Sequence, residues 1–403
     1  MPSSTNPAPF IRVEPGDPLP GRKTMREWLL PLSGRSTFRS LALLTFDYSL
    51  LLLFLSGAVG LTAWWARLLC GLAAGIVIGR LFIIGHDACH QSLTPHRRLN
   101  RWLGRLAFLP SLTAYSLWDL GHNKVHHGFT NLKGVDFVWA PLTPDEFNAL
   151  TPTGRLLQRL YRSGWGPGAY YFIEMWWKKM MFPRVVETGR QTGTPRPAVF
   201  TLDCLLVTAF AVAWIAALAC AGAATGQDSS GVMATLLYGF ALPLAVWFNL
   251  MGFVIYGHHT HTRVSWHDDR VSWQRAQPFV STTVHLTFPF HAGALLHHIM
   301  EHTAHHLDMS IPLYRLKNAQ AMLEERLPGR IVVQPFSLRW YFGTARACKL
   351  YDFSRNCWTD FAGHATSTPR LHQEQEALPQ PVIRPSSTMA PATGQDTIPV
   401  TGS

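Results

Sequence analysis

Residues 68–90 read LLCGLAAGIVIGRLFIIGHDACH, a long apolar run that ends in two histidines four positions apart. Residues 68–85 contain one charged side chain, Arg80. A membrane-spanning helix needs about 20 mostly apolar residues, because its backbone must satisfy its own hydrogen bonds in lipid. The stretch therefore predicts a membrane helix over residues 65–85 that carries His86 and His90 at its end.

Three further apolar stretches have the length of a membrane helix. With the first, they predict spans over residues 40–60, 65–85, 199–224 and 232–256. The bulk composition agrees, because 47% of residues are hydrophobic and 15% are charged, against about 25% charged in soluble domains. The predicted fold class is an all-α integral membrane protein in which four transmembrane helices form two hairpins.

The positive-inside rule for membrane proteins explains the net charge of +11 better than nucleic-acid binding does. The loop over residues 226–230, between the last two spans, carries only Asp228. Both termini and the long middle segment are therefore predicted to face the cytoplasm, in a bacterial inner membrane. The basic residues flanking the first two spans are Arg22, Lys23, Arg26, Arg35, Arg39, Arg97, Arg98, Arg101, Arg105, Lys124 and Lys133.

The sequence predicts one membrane domain over residues 39–365, with a helical cap outside the bilayer. Residues 1–38 are expected to be disordered or interfacial, and residues 366–403, rich in Pro, Ser, Thr and Gln, to be disordered. The aromatic segments 102–118 and 168–183 suit interfacial helices, although ordinary amphipathic packing explains them equally well. The six cysteines include no C-x-x-C pair and do not suggest a disulfide framework.

Histidines gather in three motifs: HDACH (86–90, box one), HNKVHH (122–127, box two) and HTAHH (302–306, box three). Helical residues three or four positions apart share a face, so each box can present several imidazoles to one centre. His127 and His306 each follow directly after another histidine of their box. Both point partly sideways, where a second ion would lie. Imidazole binds Zn, Cu, Fe and Ni, so the spacing predicts a metal centre without naming the metal.

Together the three boxes and four spans resemble the membrane fatty acid desaturase superfamily. Their flanks, GHDACHQSL (85–93), HHGFTN (126–131) with DFVWAPL (136–142), and HHIMEHTAHHLDMSIPLYRL (297–316), are similar to the Δ12 (omega-6) acyl desaturase branch. The resemblance covers residues 41–325. Box two is one residue longer than the H-x-x-H-H of many relatives.

The resemblance implies a fatty acid desaturase, an oxidoreductase that uses O2 and two Fe ions to place a cis double bond in an acyl-lipid or acyl-CoA. It implies a separate ferredoxin-like or cytochrome electron donor, since the fused cytochrome motif His-Pro-Gly-Gly does not occur. The bilayer and a fatty acyl chain are the other expected partners. The implied metal ligands are His86, His90, His122, His126, His127, His297, His302, His305 and His306.

Other side chains are assigned supporting roles or none. Asp87, His259 and His298 are expected to orient ligands; His298 also competes with His297 for the ninth ligand position. A structural or orienting role is favoured over ligation for His258, His261 and His267. No role is expected for His96, His285, His291, His364 or His372. Trp118, Phe129, Trp139 and Phe290 are candidates to line an acyl tunnel, although ordinary core packing is the simpler explanation for each.

There are five rival interpretations at this point. A hydroxylase or ketolase acting on an alkane, carotenoid or sphingolipid would share the histidine boxes. An intramembrane zinc protease would explain HDACH as a variant of H-E-x-x-H, but leaves boxes two and three unexplained. Haem carriage and metal transport are disfavoured because the last two spans hold no histidine before His258, and no Glu-x-x-His motif indicates a carboxylate di-iron protein.

Overall fold

The computed structural model describes residues 11–181, 198–225 and 229–369. Outside this part of the chain lie the loop 226–228 and residues 1–10 and 370–403, for which the sequence analysis predicts disorder. Besides four long helices, the helical segments are Arg22–Leu29, Leu30–Leu32, Arg97–Phe108, Tyr115–Trp118, Asp119–His126, His127–Phe129, Pro144–Asn148, Pro152–Tyr161, Pro167–Tyr170, Tyr171–Met181, Arg270–Arg275, Pro278–Ser281, Pro289–Leu296, His302–Leu307, Leu313–Arg315, Leu316–Arg326 and Leu338–Ala347.

In the described part of the chain, four helices are long and apolar enough to cross a membrane, which confirms the predicted fold class. They are Thr37–Gly60 (span 1), Trp64–Cys89 (span 2), Ala198–Ala224 (span 3) and Ser230–His259 (span 4). Span 4 joins the helices Ser229–Leu236 and Leu242–His259 through a π-helical stretch, Leu237–Ala241. Spans 1 and 2 pack together, as do spans 3 and 4. Spans 2 and 4 continue past their predicted ends, so their last turns carry histidines.

Span 2 is the central helix because a stripe of glycines lets span 4 approach it closely. Gly71, Gly75 and Gly79 are spaced four residues apart and face span 4. A Cβ atom at Gly75 would lie 2.5 Å from the Cβ of Val246, and one at Gly79 would lie 2.7 Å from a methyl group of Leu250. Such small-residue stripes allow van der Waals packing where lipid removes the hydrophobic driving force between helices.

The aspartates and arginines buried within the described parts of the spans have polar partners. Asp203 in span 3 accepts a hydrogen bond from Arg105 at 2.7 Å. Arg67 in span 2 donates to the hydroxyl of Thr235 in span 4 at 2.7 Å. Asp47 and Arg80 pair across spans 1 and 2 at 2.8 Å. An unpaired buried charge is expensive in an apolar environment, so these pairs also fix the relative positions of the spans.

Among the residues that the structure describes, four short strands are the part of the fold that the all-α prediction omits. Strand β1 (Val284–Thr287) pairs in parallel with β2 (Val332–Pro335), and β3 (Leu350–Asp352) pairs antiparallel with β4 (Cys357–Thr359). A single bridge also joins His285 to Glu301, the residue before box three. The strands therefore anchor the loop that leads into box three. All six cysteines are free thiols.

The predicted disordered or interfacial segment 1–38 contains an ordered helix, Arg22–Leu29. Its Met25, Trp28 and Leu29 are buried, because their spacing of three and four residues places them on one face. Arg22 donates to the carbonyls of His306 at 2.9 Å and Leu307 at 3.2 Å. The helix therefore packs against box three.

The predicted interfacial segments expose aromatic rings, with Trp102 and Trp177 exposed on Arg97–Phe108 and Tyr171–Met181. Their membrane contact stays a prediction, as does the domain boundary 39–365. Residues 182–183 of the second segment lie outside the described part.

Candidate metal centre

Box one lies at the end of span 2, where the helix continues to Cys89. His86 and His90 are one helical turn apart, and their rings are 4.4 Å apart between centroids. Their Nε2 atoms lie 3.2 Å apart. The predicted pairing of these two histidines on one helix face is therefore present.

Box two lies in a π-helix, Asp119–His126, rather than in an α-helix. The backbone N–H of His127 donates to the carbonyl of His122, five residues earlier. This wider turn places the Nε2 atoms of His122 and His127 3.0 Å apart and directs His126 elsewhere. The α-helical spacing pairs His122 with His126; the structure pairs it with His127, because the extra residue of this longer box is absorbed by the π turn.

Box three forms the helix His302–Leu307. His305 reaches the rings of boxes one and two, with its Nε2 3.0 Å from that of His127. His302 and His306 lie on another face, with ring centroids 4.4 Å apart. The helical spacing predicts that His302, His305 and His306 reach one centre, with His306 and His127 directed toward a second ion. The structure instead places His305 with His127 in one group and His302 with His306 in the other.

The histidines form two adjoining groups, in each of which the potential ligand atoms lie within 4.8 Å of one another. Ring centroids of His127 and His306, one from each group, are 4.2 Å apart. The five-histidine group contains His86, His90, His122, His127 and His305. The four-histidine group contains His126, His259, His302 and His306.

His259, predicted to have a supporting role, is a member of the four-histidine group. Its Nε2 lies 3.0 Å from Nε2 of His302, and its Nδ1–H donates to the carbonyl of Thr282 at 3.0 Å. It lies in the last turn of span 4, as His86 lies in the last turn of span 2. This position directly after an apolar run is the signal in the sequence that points to it. Its neighbour His258 stacks on His302 with centroids 3.4 Å apart and belongs to neither group.

His297 and His298 also belong to neither group, in contrast to the ninth ligand that the resemblance implies. Nε2 of His297 lies 2.7 Å from Oδ2 of Asp47. Nδ1 of His298 lies 2.8 Å from Oε1 of Glu301. Both histidines have left-handed backbone conformations, with φ of 48° and 62°. The tight turn they form directs their rings away from the box-three helix.

The remaining histidines lie apart from both groups. His261 lies 3.3 Å from Oε1 of Gln334, His285 pairs with Glu324 and His364 with Asp360. His267 is buried, and its backbone bonds to Asn131 and Lys133. His96 is exposed before the helix Arg97–Phe108. The side chain of His291 and all of His372 lie outside the described part of the structure.

Polar groups behind the rings select which nitrogen faces the centre. Asp87 contacts Nδ1 of His86 at 3.3 Å and accepts from the Leu313 N–H at 2.6 Å. Asp136 contacts Nδ1 of His126 at 3.1 Å. Such partners fix the tautomer and ring orientation of a metal ligand. The supporting role predicted for Asp87 therefore has a geometric basis, whereas Asp136, which is in the DFVWAPL segment, was not singled out by the sequence.

Two further contacts act in the same way on the four-histidine group. The Thr282 carbonyl accepts from His259, and the Thr130 hydroxyl lies 3.2 Å from Nδ1 of His306. Nε2 of His306 has no hydrogen-bond partner among the described residues. Its free nitrogen therefore faces the group with a lone pair.

The donor set fits metal ions. Four successive Nε2–Nε2 contacts of 3.0 to 3.2 Å link the five rings of the first group. Each nitrogen of a neutral imidazole either donates or accepts one hydrogen bond, so five Nε2 atoms that face one another do not form a satisfied hydrogen-bond network. A cation between them would satisfy all five nitrogen lone pairs. Burial, followed by the neighbouring imidazoles, holds the pKa of His122, His127 and His305 well below its ordinary range. The rings are therefore neutral at physiological pH, which is the form in which an imidazole nitrogen can bind a metal ion.

An apolar pocket extends from the histidines between spans 2 and 4 and the helix Tyr171–Met181. Of the four predicted tunnel residues, Trp118 lines it, while Phe129, Trp139 and Phe290 do not. Its histidine end is formed by His86, His122, His126, His258, His259 and His302. Its apolar walls are Phe82, Ile83, Trp118, Phe137, Val138, Tyr171, Met175, Met180, Met251, Val254, Ile255 and Ile299.

Comparison with known proteins agrees with this arrangement. The chain is 27% identical over 344 residues to an omega-6 chloroplastic fatty acid desaturase of Glycine max, covering 84% of this chain and 76% of the relative. It is 28% identical over 330 residues to an sn-1 oleoyl-lipid 12-desaturase of Picosynechococcus, covering 79% and 87%. An sn-1 acyl-lipid omega-3 desaturase (ferredoxin) of Synechocystis is 27% identical over 286 residues, covering 70% and 74%.

These relatives are desaturases, so a hydroxylase or ketolase is not favoured. A zinc protease is not favoured either, because box one shares its group with boxes two and three. The model of the fatty acid desaturase family matches residues 62–337, and the chain belongs to that family.

Proposed function

We propose that the protein introduces a cis double bond into the acyl chain of a membrane lipid, using O2 and a pair of iron ions. One observation carries the proposal: two adjoining histidine groups close one end of an apolar pocket between membrane helices. The relatives named oleoyl-lipid 12-desaturases support a Δ12 (omega-6) position for the new bond.

In this proposal the five-histidine group holds one iron and the four-histidine group holds the other. His259 is the ninth ligand, in place of His297, because its Nε2 points at His302. Iron is chosen over zinc because the reaction is an oxidation and zinc has no redox chemistry.

The reaction balances as R–CH2–CH2–R′ + O2 + 2 e⁻ + 2 H⁺ → R–CH=CH–R′ + 2 H2O. The bound irons supply the oxidising power that an unactivated methylene requires, since no side-chain acid or base can remove its hydrogen. The chain's own residues bind and position. Asp87 and Asp136 hold imidazoles in one tautomer, and the apolar walls align the acyl chain while excluding water.

The pocket selects substrate by shape and polarity. Phe82, Val254 and Met251 offer an extended methylene chain only apolar contacts, and Trp118 lies beside His122 with ring centroids 3.6 Å apart. The walls therefore fix which carbons lie nearest the histidines. We propose a lipid-linked acyl chain, in agreement with the names of the relatives, delivered sideways from the bilayer.

We further propose that the histidine site faces the cytoplasm across a bacterial inner membrane. The basic residues that flank spans 1 and 2 support this orientation under the positive-inside rule. Two electrons per turnover then come from a soluble cytoplasmic carrier protein.

The test is expression in a bacterium that makes monounsaturated but not diunsaturated fatty acids. Mass spectrometry of total lipids is expected to show a new diunsaturated acyl chain whose second double bond is at Δ12. An added hydroxyl or keto group instead would replace the proposal with a hydroxylase or ketolase.

A further inference from the structure

Between strand β1 and box three, the chain runs along span 4 in one direction and then returns. On the outward limb, a methyl group of Leu286 lies 3.3 Å from the place that a Cβ atom of Gly257 would occupy. On the returning limb, the methyl group of Met300 lies 3.7 Å from the same place. The backbone N–H of Leu286 donates to the carbonyl of Met300 at 3.4 Å. The two limbs therefore pass Gly257 side by side, and the residues between them form a loop, which we name loop 288–296.

The far end of loop 288–296 contacts span 2 well before the end of that helix. Arg80 of span 2 donates to the carbonyls of Ala294 and Leu295, both at 3.2 Å. A methyl group of Leu296 lies 3.6 Å from the place that a Cβ atom of Gly79 would occupy. Span 2 continues from these contacts to Cys89 before it ends. The tip of the loop therefore lies alongside the membrane helices and not beyond their ends.

Two charged residues of span 1 give the depth of this tip. Arg39 is exposed and is the last basic residue before an apolar run that ends at Asp47. A basic side chain at the end of a span extends to the headgroup boundary. Asp47 is paired with His297, directly after the loop, and an α-helix rises about 12 Å between positions 39 and 47. Because each leaflet contributes about 15 Å of hydrocarbon, the tip lies at the depth of the lipid acyl chains.

The outer surface of loop 288–296 is apolar. Its sequence, FPFHAGALL, contains no Asp, Glu, Lys or Arg. The side chain of Phe290 is 98% exposed and that of Leu295 is 57% exposed. On the neighbouring spans, Phe46 and Ile76 are also exposed, close to the level of the aspartate and arginine that hold the tip. The apolar surface of the loop therefore adjoins the lipid-facing surface of spans 1 and 2.

Protein groups bind the polar backbone of the loop at this depth. A segment that enters the hydrocarbon is stable only where the protein satisfies its backbone N–H and carbonyl groups. Residues Pro289–Leu296 form a 3-10 helix, and the N–H groups of residues 297–299 donate to carbonyls within the loop. Arg80 binds two further carbonyls and is itself paired with Asp47. The loop thus directs polar backbone toward the protein and apolar side chains outward.

We propose that loop 288–296 is a re-entrant membrane segment whose tip inserts among the lipid acyl chains beside spans 1 and 2. Phe290 and Leu295 make the contact with hydrocarbon. The returning limb carries Ile299, which lines the apolar pocket, and continues into box three. Contact with the bilayer therefore holds one pocket wall and the third box at a fixed depth. The inference requires the membrane-spanning fold and is independent of the proposed reaction.

Photocrosslinking tests the contact directly. Phe290 is replaced by p-benzoylphenylalanine, which keeps an aromatic ring at that position, and the full chain is irradiated in nanodiscs of dimyristoyl phosphatidylcholine. Mass spectrometry is expected to find adducts to acyl-chain carbons. The same replacement at Leu52, which is 62% exposed on span 1, is the positive control. The negative control is Val271, which is 53% exposed on the charged helix Arg270–Arg275.

A second measurement uses a smaller replacement and does not depend on the crosslinker. Phe290→Cys and Val271→Cys are treated with a membrane-impermeant maleimide in vesicles that expose the side of the membrane carrying the boxes. The reagent requires a thiolate in water, so the cysteine at position 290 is expected to react at least about tenfold more slowly than the one at position 271. After unfolding in sodium dodecyl sulfate, both are expected to react at the same rate. Labelling of the native cysteines is subtracted with the unchanged protein.

The outcomes decide the proposal. Acyl-chain adducts together with slow labelling at position 290 support it. A lack of acyl-chain adducts at position 290, where position 52 forms them, overturns it. Labelling of position 290 as fast as position 271 places the loop in water and also overturns it. Adducts to a second copy of the chain identify a protein interface in place of a lipid contact, with the same consequence.

Discussion

Nε2 of His297 lies 2.7 Å from Oδ2 of Asp47, whose other oxygen accepts a hydrogen bond from Arg80 at 2.8 Å. Arg80 also donates to the carbonyls of Ala294 and Leu295. A histidine expected among the ligands is thus part of a buried cluster that ties the turn before box three to spans 1 and 2. Ile299, two residues after His297, lines the apolar pocket. The cluster therefore also positions one wall of the pocket.

His297→Gln is expected to retain the full iron content, whereas His259→Ala is expected to lose about half of it, from the four-histidine group. Losing a hydrogen bond to a buried carboxylate costs about 1.5–3 kcal/mol, so His297→Gln should unfold at a lower temperature although its metal is intact. Iron content by elemental analysis and thermal unfolding measure the two effects. Iron loss in His297→Gln with retention in His259→Ala would restore His297 as the ninth ligand.

One histidine from each box is expected to be indispensable. His90→Ala, His126→Ala and His305→Ala should each abolish desaturation, because every box contributes to a group and an opened coordination position disturbs the neighbouring ion. His96→Ala is the control, since that side chain is exposed and lies outside both groups. Fatty acid profiles are compared at equal membrane expression. If His96→Ala were as inactive as the others, the division between ligands and bystanders would fail.

Asp136→Asn is expected to weaken iron binding about 10- to 100-fold, the usual effect of losing a partner behind a ligand. Asp136 accepts the backbone N–H groups of Asn131 and Val138 as well as contacting His126. An amide has one acceptor oxygen in place of two and cannot satisfy all three. Chelator competition measures iron affinity, with Asp145→Asn, an exposed carboxylate, as the control. Equal affinity in both variants would assign Asp136 a folding role only.

The apolar runs and the three boxes were sufficient to predict the four spans and eight of the nine grouped histidines, because both depend on local patterns. The ninth, His259, was assigned only a supporting role, because a histidine that directly follows a span has no other histidine at helical spacing. The pairing of His122 with His127 could not be predicted, since it depends on a π turn rather than α-helical geometry. Asp136 and Thr130 act through contacts between segments distant in sequence, and no spacing rule reveals such contacts.

The segments that follow spans 2 and 4, which carry Asp145 and Arg326, are expected on one side of the membrane, because boxes two and three share each group. In variants carrying Asp145→Cys or Arg326→Cys, an impermeant thiol reagent should label both new cysteines from the cytoplasmic side of inverted vesicles and neither from outside intact cells. Cysteine in place of Asp228 should show the reverse pattern. Labelling of positions 145 and 326 from opposite sides would be incompatible with the shared groups.

Val254→Phe is expected to shorten the acyl chain that the protein accepts. Val254 is buried on span 4 and lines the pocket, so the larger phenylalanine ring occupies space that the substrate requires. Iron content should not change, because Val254 is not a member of either histidine group. Val212→Phe adds the same volume to span 3 at a side chain that is 62% exposed, where lipid can accommodate it.

Both variants are expressed with a mixture of 16- and 18-carbon monounsaturated chains, and the products are separated by mass spectrometry. A shift of product toward 16 carbons in Val254→Phe alone supports the pocket as the acyl site. An unchanged ratio, with Val254→Phe folded and fully loaded with iron, would place the acyl chain in a different channel.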